Sequence, residues 1–190
     1  GKELDSLTDF VSFGIAPAFI VYFWELKNYG KIGWAITLIF SVCCVLRLAK
    51  FNLTKIDNNE QWKMNYFQGI PSPAGGILIL LPLIYEQSSI NLDIDIKSIT
   101  PYFVVAIAIL LISKIPTFSF KKISISPKFT IFILFGIGTI FVSLIFFTFK
   151  TLLILGFVYL LSIPLSFFIF KKNSKEIKKN ENNDFDEDIL

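Results

Sequence analysis

Histidine is absent from all 190 residues. A Ser-His-Asp triad, a Cys-His dyad and a His-ligated zinc centre are therefore excluded. Acid–base or metal chemistry would have to fall to Asp, Glu, Lys or Tyr, and carboxylate-only sites favour hard cations such as Mg²⁺ or Mn²⁺. Charge is also scarce: 17% of the residues are charged, against about 25% in an ordinary soluble domain. So few polar side chains cannot coat a water-facing surface, which excludes a soluble globular domain and a disordered chain alike. Only two cysteines occur, Cys43 and Cys44, side by side in an apolar run. They cannot staple a disulfide scaffold and read as small buried hydrophobes.

What is present is apolar: 54% of the residues are hydrophobic and 22 are Phe, with a mean hydropathy of +0.65. A bilayer-spanning helix needs about 20 mostly apolar residues. Six runs approach that length: Leu7 to Leu26, Ile32 to Ala49, Gly69 to Tyr85, Pro101 to Phe118, Phe129 to Phe149 and Thr151 to Phe170. The fold class expected is all-α, a polytopic transmembrane bundle with six spanning helices in residues 1–170. Lys150 alone separates the last two runs, which predicts a tight hairpin there. Residues 171–190, basic and then acidic and Asn-rich, are expected to form a disordered tail. Lys55 to Phe67 mixes aromatic and polar residues and reads as an interfacial stretch.

The loops sort the cations. Lys27, Lys31, Lys97 and Lys150 collect on one side, and the other cations, Arg47 and Lys50 among them, on the opposite side. The positive-inside rule makes the richer side cytoplasmic and puts both ends of this chain there.

Polar groups beside apolar spans are costly and therefore informative. Gly1, Asp5 and Asp9 are spaced four apart, so on a helix they share a face. Gly1 would let a neighbouring helix approach closely. Two carboxylates one turn apart repel unless a cation lies between them or one is protonated. The plainer alternative is a helix-capping Asp5 and a solvated Asp9, and two acids are too few for a complete metal cage. Arg47 and Lys50 also share a face and could grip a phosphate or carboxylate, or could simply snorkel to the headgroups. Phe67-Gln-Gly-Ile-Pro71-Ser72-Pro73 fixes a turn before the third span. It is either a close helix contact or a substrate-lining loop in which Ser72 would touch substrate. Ser113-Lys114-Ile-Pro116-Thr117 ends the fourth span in a similar way.

Gly1-x-x-x-Asp5-x-x-x-Asp9 resembles the second half of the CDP-alcohol phosphatidyltransferase signature, D-x-x-D-G-x-x-A-R followed by G-x-x-x-D-x-x-x-D. Ser12-Phe13-Gly14-Ile15-Ala16-Pro17-Ala18, Leu46-Arg47-Leu48-Ala49-Lys50-Phe51-Asn52, Phe67 to Ala74 and Ser113 to Thr117 are similar to blocks of the phosphatidylserine-forming branch, in the same order. The D-x-x-D-G-x-x-A-R half does not precede Gly1. The resemblance therefore implies an N-terminal truncation that removes two further metal-binding aspartates and about two spanning helices. Lys50 stands where the branch often carries Arg.

The resemblance implies transfer of a phosphatidyl group from CDP-diacylglycerol to L-serine, releasing CMP, at the cytoplasmic face of the inner (plasma) membrane. It implies a two-metal Mg²⁺ or Mn²⁺ site that the missing segment completes. Asp5 would be a metal ligand and Asp9 a general base that also touches metal. Arg47, Lys50 and Ser72 would contact substrate, and Gly1, Gly14 and Pro71 would shape the site. A homodimer and contact with membrane lipid are also implied, and no nucleic acid. Rival readings are a sister enzyme using glycerol 3-phosphate or inositol phosphate, or a small transporter subunit. The fragment alone is expected to be inactive.

Overall fold

The computed structural model describes residues 1–53, 66–88, 90, 95–113, 116–118 and 127–187. The first helical rod runs from α1 (Lys2–Asp9) through a π-helical segment (Phe10–Ile15) into α2 (Ala16–Trp24). The wide turn has a local cause. Pro17 offers no N–H to the carbonyl of Phe13, and its ring would collide with that carbonyl in a regular helix. The ladder instead slips by one residue, and the Ala16 N–H donates to the Val11 carbonyl.

A 3₁₀ turn (Leu26–Tyr29) then reverses the chain into α3 (Gly30–Leu53). At 1.5 Å per residue its 24 residues extend about 36 Å. Thr37 and Ser41 lie inside this span and donate to the carbonyls of Gly33 and Thr37 (2.9 and 3.1 Å). Their hydroxyls thus need no partner from lipid.

Strand β1 (Tyr66–Gln68) pairs antiparallel with β2 (Pro116–Phe118) in a three-residue ribbon, with Phe67 opposite Thr117. Helices α4 (Ser72–Leu78) and α5 (Leu81–Gln87) follow β1. One span was expected over this stretch. It is broken at Ile79–Leu80, because Pro82 cannot donate to the Leu78 carbonyl. Helix α6 (Ile96–Ile112) packs along α3. Helix α7 (Pro127–Phe146) meets α8 (Thr148–Glu187) at Phe147. This corner lies three residues before Lys150, which sits inside α8. The Ser143 and Thr151 hydroxyls, eight residues apart in sequence, come to 2.7 Å. A straight helix would hold those positions about 12 Å apart.

Among the described residues, three helical stretches have the length and apolarity of a membrane span: Glu3–Trp24, Leu26–Leu53 and Thr148–Phe167. Ile96–Ile112 and Thr130–Phe146 are apolar but shorter. Helical segments therefore lie where all six spans were expected, but six crossings do not follow from them. Helix α8 also continues through the basic stretch to Glu187, where an unstructured tail was expected. Lys and Glu propagate a helix that the apolar segment has already nucleated.

The core lies where α3 and α6 meet α2, α4, α5 and α8. Val21, Phe40, Cys44, Leu78, Ile107 and Leu111 are buried there. Large apolar side chains cover the outside, including Phe132, Phe135 and Phe146 of α7. That inversion suits a lipid solvent, and the molecule is a helical integral membrane protein.

Candidate active site

One end of the bundle gathers α1, the C-terminal end of α3, the turn before α4 and the C-terminal end of α6. Asp5 is exposed and Asp9 half-buried on α1, one turn apart. Neither carboxylate has a hydrogen bond or ion pair among the described residues, so their oxygens remain open acceptors. Helix α1 is tied to α3 by the Asn52 side-chain amide, which donates to the Ser6 hydroxyl (2.8 Å).

Two close contacts bring the next helices in. Gly14, in the π segment, is buried where a Cβ would press on the Phe10 ring and, at 3.1 Å, on Cys44 Sγ. A Cβ on Gly76 of α4 would stand 2.7 Å from the Phe13 carbonyl oxygen, the acceptor that Pro17 leaves open. The close approach expected at Gly1 is found at these two glycines instead. Among the described residues, nothing lies within 4 Å of a Cβ built on Gly1.

The turn before α4 is built on Gly69, whose φ of +77° suits glycine. A Cβ there would lie 2.7 Å from the Ser113 carbonyl oxygen. Ile70 is fully buried, and its N–H donates to the Leu110 carbonyl (3.4 Å). Pro71 stands just ahead of α4. Ser72 opens that helix, buried and close to the Cys44 thiol. The same thiol lies in the electrostatic field of Asp9. Cys44 thus lies in the neighbourhood of both Ser72 and Asp9.

Arg47 does not fit the snorkelling alternative. It is only 6% exposed, and its Nε donates to the Ile70 carbonyl (3.1 Å), so it does not snorkel to the headgroups. Lys50, half-buried on the next turn, is the more accessible cation. Lys114 lies outside the described residues, as does most of the Lys55–Phe67 stretch.

Two neighbours of these residues were not evident from the sequence. Cys44 had read as a plain hydrophobe. Tyr159 of α8 stands within electrostatic range of Arg47, and its only signal was a phenol inside an apolar run.

The donor set suits half of a hard-cation site. Asp5 and Asp9 supply carboxylate oxygens. Among the described residues, no group of three or more His, Cys, Asp or Glu side chains is placed to hold a metal, so the remaining ligands would have to come from elsewhere.

The opposite end is closed. Glu86 at the end of α5 accepts from Trp24 Nε1 (2.6 Å) and pairs with Lys97 Nζ (2.8 Å). The Lys97 contact, with help from Trp24, holds the Glu86 carboxyl below its ordinary value. The same contact raises the Lys97 ammonium. The Ser98 hydroxyl, which donates to Asp95 (2.6 Å), lowers that carboxyl. Tyr22 and Phe19 meet Trp34 edge-on, and Tyr29 donates to the Lys97 carbonyl (3.5 Å). Tyr and Trp of this kind are enriched where helices leave a bilayer.

A helical membrane protein with two open carboxylates, a lysine and a buried serine at one end of its bundle defines a class: membrane-embedded, carboxylate-based and without histidine. The chain belongs to the CDP-alcohol phosphatidyltransferase family, whose model matches residues 1–163. It is 32% identical over 142 residues to a CDP-diacylglycerol–serine O-phosphatidyltransferase of Helicobacter pylori, covering 75% of this chain and 58% of that one. It is 33% identical over 131 residues to the protein so named in Mycobacterium bovis (68% and 45% covered). A third so named, in Bacillus subtilis, is 41% identical over 87 residues (45% and 46% covered). The chain thus spans about half the length of these curated relatives.

Proposed function

We propose that this chain forms most of the membrane-embedded catalytic unit of a CDP-diacylglycerol–serine O-phosphatidyltransferase. Residues 1–170 would form the membrane unit and 171–190 a cytoplasmic tail. The observation that carries the proposal is the Asp5/Asp9 pair, without a partner among the described residues, at the same end as Ser72 and Lys50. Family membership and the names of the relatives support the choice of serine.

Asp9 is the base: its carboxylate accepts the proton of the serine hydroxyl. The hydroxyl oxygen then forms the new bond to the diacylglycerol-bearing phosphorus, and the bond from that phosphorus to the CMP oxygen breaks. A base must sit within hydrogen-bond reach of the proton it takes. Asp9 is half-buried at the bundle end, where cytosolic serine and lipid-held CDP-diacylglycerol can meet. Asp5, together with Asp9, would hold Mg²⁺ or Mn²⁺. Such an ion, when bound, neutralises pyrophosphate charge and stabilises the departing CMP. Ser72 lines the floor beside Cys44, and Lys50 supplies positive charge toward an anionic group. Arg47, committed to Ile70, is left out of that role. Upstream residues would complete the metal site. By the positive-inside rule this end would face the cytoplasm; the inner (plasma) membrane, six spans and a homodimer belong to the same proposal.

The test is CMP release from CDP-diacylglycerol by the full-length protein in micelles or vesicles. Serine-dependent release that needs a divalent cation is expected. Release with glycerol 3-phosphate or inositol phosphate but not with serine would overturn the substrate, and no release with any alcohol would overturn the activity.

A further inference from the structure

We propose that Arg47 is a positioning residue, which acts through its Nε–H on the Ile70 carbonyl to fix the turn that carries Ser72 into the site. The inference rests on the reading above only in its kinetic part. Residues 69–71 are irregular backbone packed inside a membrane bundle, where an unpaired peptide group has no water to turn to. Ile70 is 1% exposed, so both of its backbone polar groups need protein partners. Its N–H reaches the Leu110 carbonyl (3.4 Å) on α6. Its C=O reaches Arg47 Nε (3.1 Å) on α3. The turn is thereby pinned between two helices by one residue's two peptide groups. Gly69 closes against the Ser113 carbonyl on the α6 side. Cys44, one turn before Arg47 on α3, lies close to Ser72 where α3 meets α4. One face of α3 therefore meets the turn at two successive points and bonds it at Arg47.

Both the charge and the donor of Arg47 could matter, and side-chain geometry separates them. The amide nitrogen of Gln is attached to Cδ, as Nε is in Arg. Arg47→Gln therefore keeps a donor at the right position and removes the charge, whose burial is costly in any case. Arg47→Lys keeps the charge but puts a methylene where the donor must be, with its ammonium one bond further on. An anion-gripping guanidinium would rank these variants in the opposite order.

The test uses full-length protein in micelles with Arg47→Gln, Arg47→Lys and Arg47→Met. Hydrogen–deuterium exchange of the peptide covering 69–76 should match wild type in the Gln variant and rise at least about tenfold in the Lys and Met variants. Turnover should follow: kcat within about threefold of wild type for Gln and at least about tenfold lower for Lys and Met. The KM for CDP-diacylglycerol should stay within about threefold throughout. Retained turnover in Lys with loss in Gln, equal behaviour of the two, or a KM rise in Gln would each overturn the inference. Wild-type protein that releases no CMP would sink the proposed activity, and the exchange order would still decide the role of Arg47.

Discussion

The two ends of this bundle are built from the same polar residue types and use them in opposite ways. At one end Glu86, Trp24 and Lys97 consume one another, so α2, α5 and α6 are fastened, and the other described carboxylates there, Glu25 and Asp95, accept from Asn28 and Ser98. At the other end the fastening is done by Arg47 on a backbone carbonyl and by Asn52 on Ser6. Among the described residues, Asp5 and Asp9 take no part in it. A bundle in lipid gains little hydrophobic drive between its helices, so polar fasteners are needed at both ends. Chemistry can reside only where the carboxylates are not the fasteners.

The widest separation between the ends should appear on neutralising one carboxylate at each. Asp9→Asn should lower serine-dependent CMP release by about 10²–10⁴-fold, the usual worth of a general base, with the thermal unfolding midpoint unchanged. Glu86→Gln should leave CMP release within about twofold, because a surface pair is worth only about 0–1 kcal/mol. Gly76→Ala lies between these extremes. The added methyl meets the Phe13 backbone, which cannot swing aside as a side chain would, so destabilisation of about 1–3 kcal/mol is expected. Thermal unfolding in micelles measures it.

The position of these features in the sequence explains which could be foreseen. The apolar runs located all six helical segments, and the four-residue spacing put Asp5 and Asp9 on one face, because both signals are local. The break at Ile79–Leu80 was also local: it follows from Pro82, although hydrophobicity alone drew one span there. The partner of Arg47 was not foreseeable. Ile70 lies 23 residues away and meets it only because α6 presses the turn onto α3. The corner was assigned to Lys150 on charge, yet hydroxyls decide it, since Ser143 and Thr151 can bond only if the chain bends at Phe147. Glu86 drew no notice in the sequence because its two partners come from separate helices.

The smallest expected effect is pH dependence at the closed end. The Glu86 carboxyl is lowered in the fold, so its contribution is present above the ordinary carboxylate value and is lost as pH falls through the lowered one. The Lys97 ammonium is raised, so its share is present below the ordinary lysine value and is lost as pH climbs through the raised one. Stability should therefore be flat across neutral pH and dip on the acid side. Thermal unfolding scans between those limits should show the acid dip in wild type and a smaller one in Glu86→Gln.

The claim that the open acidic pair holds the catalytic cation is tested most directly by titrating Mn²⁺ into serine-dependent CMP release for full-length wild type and Asp5→Asn. The variant should need at least about tenfold more Mn²⁺ for half-maximal release. An unchanged Mn²⁺ requirement would contradict the assignment.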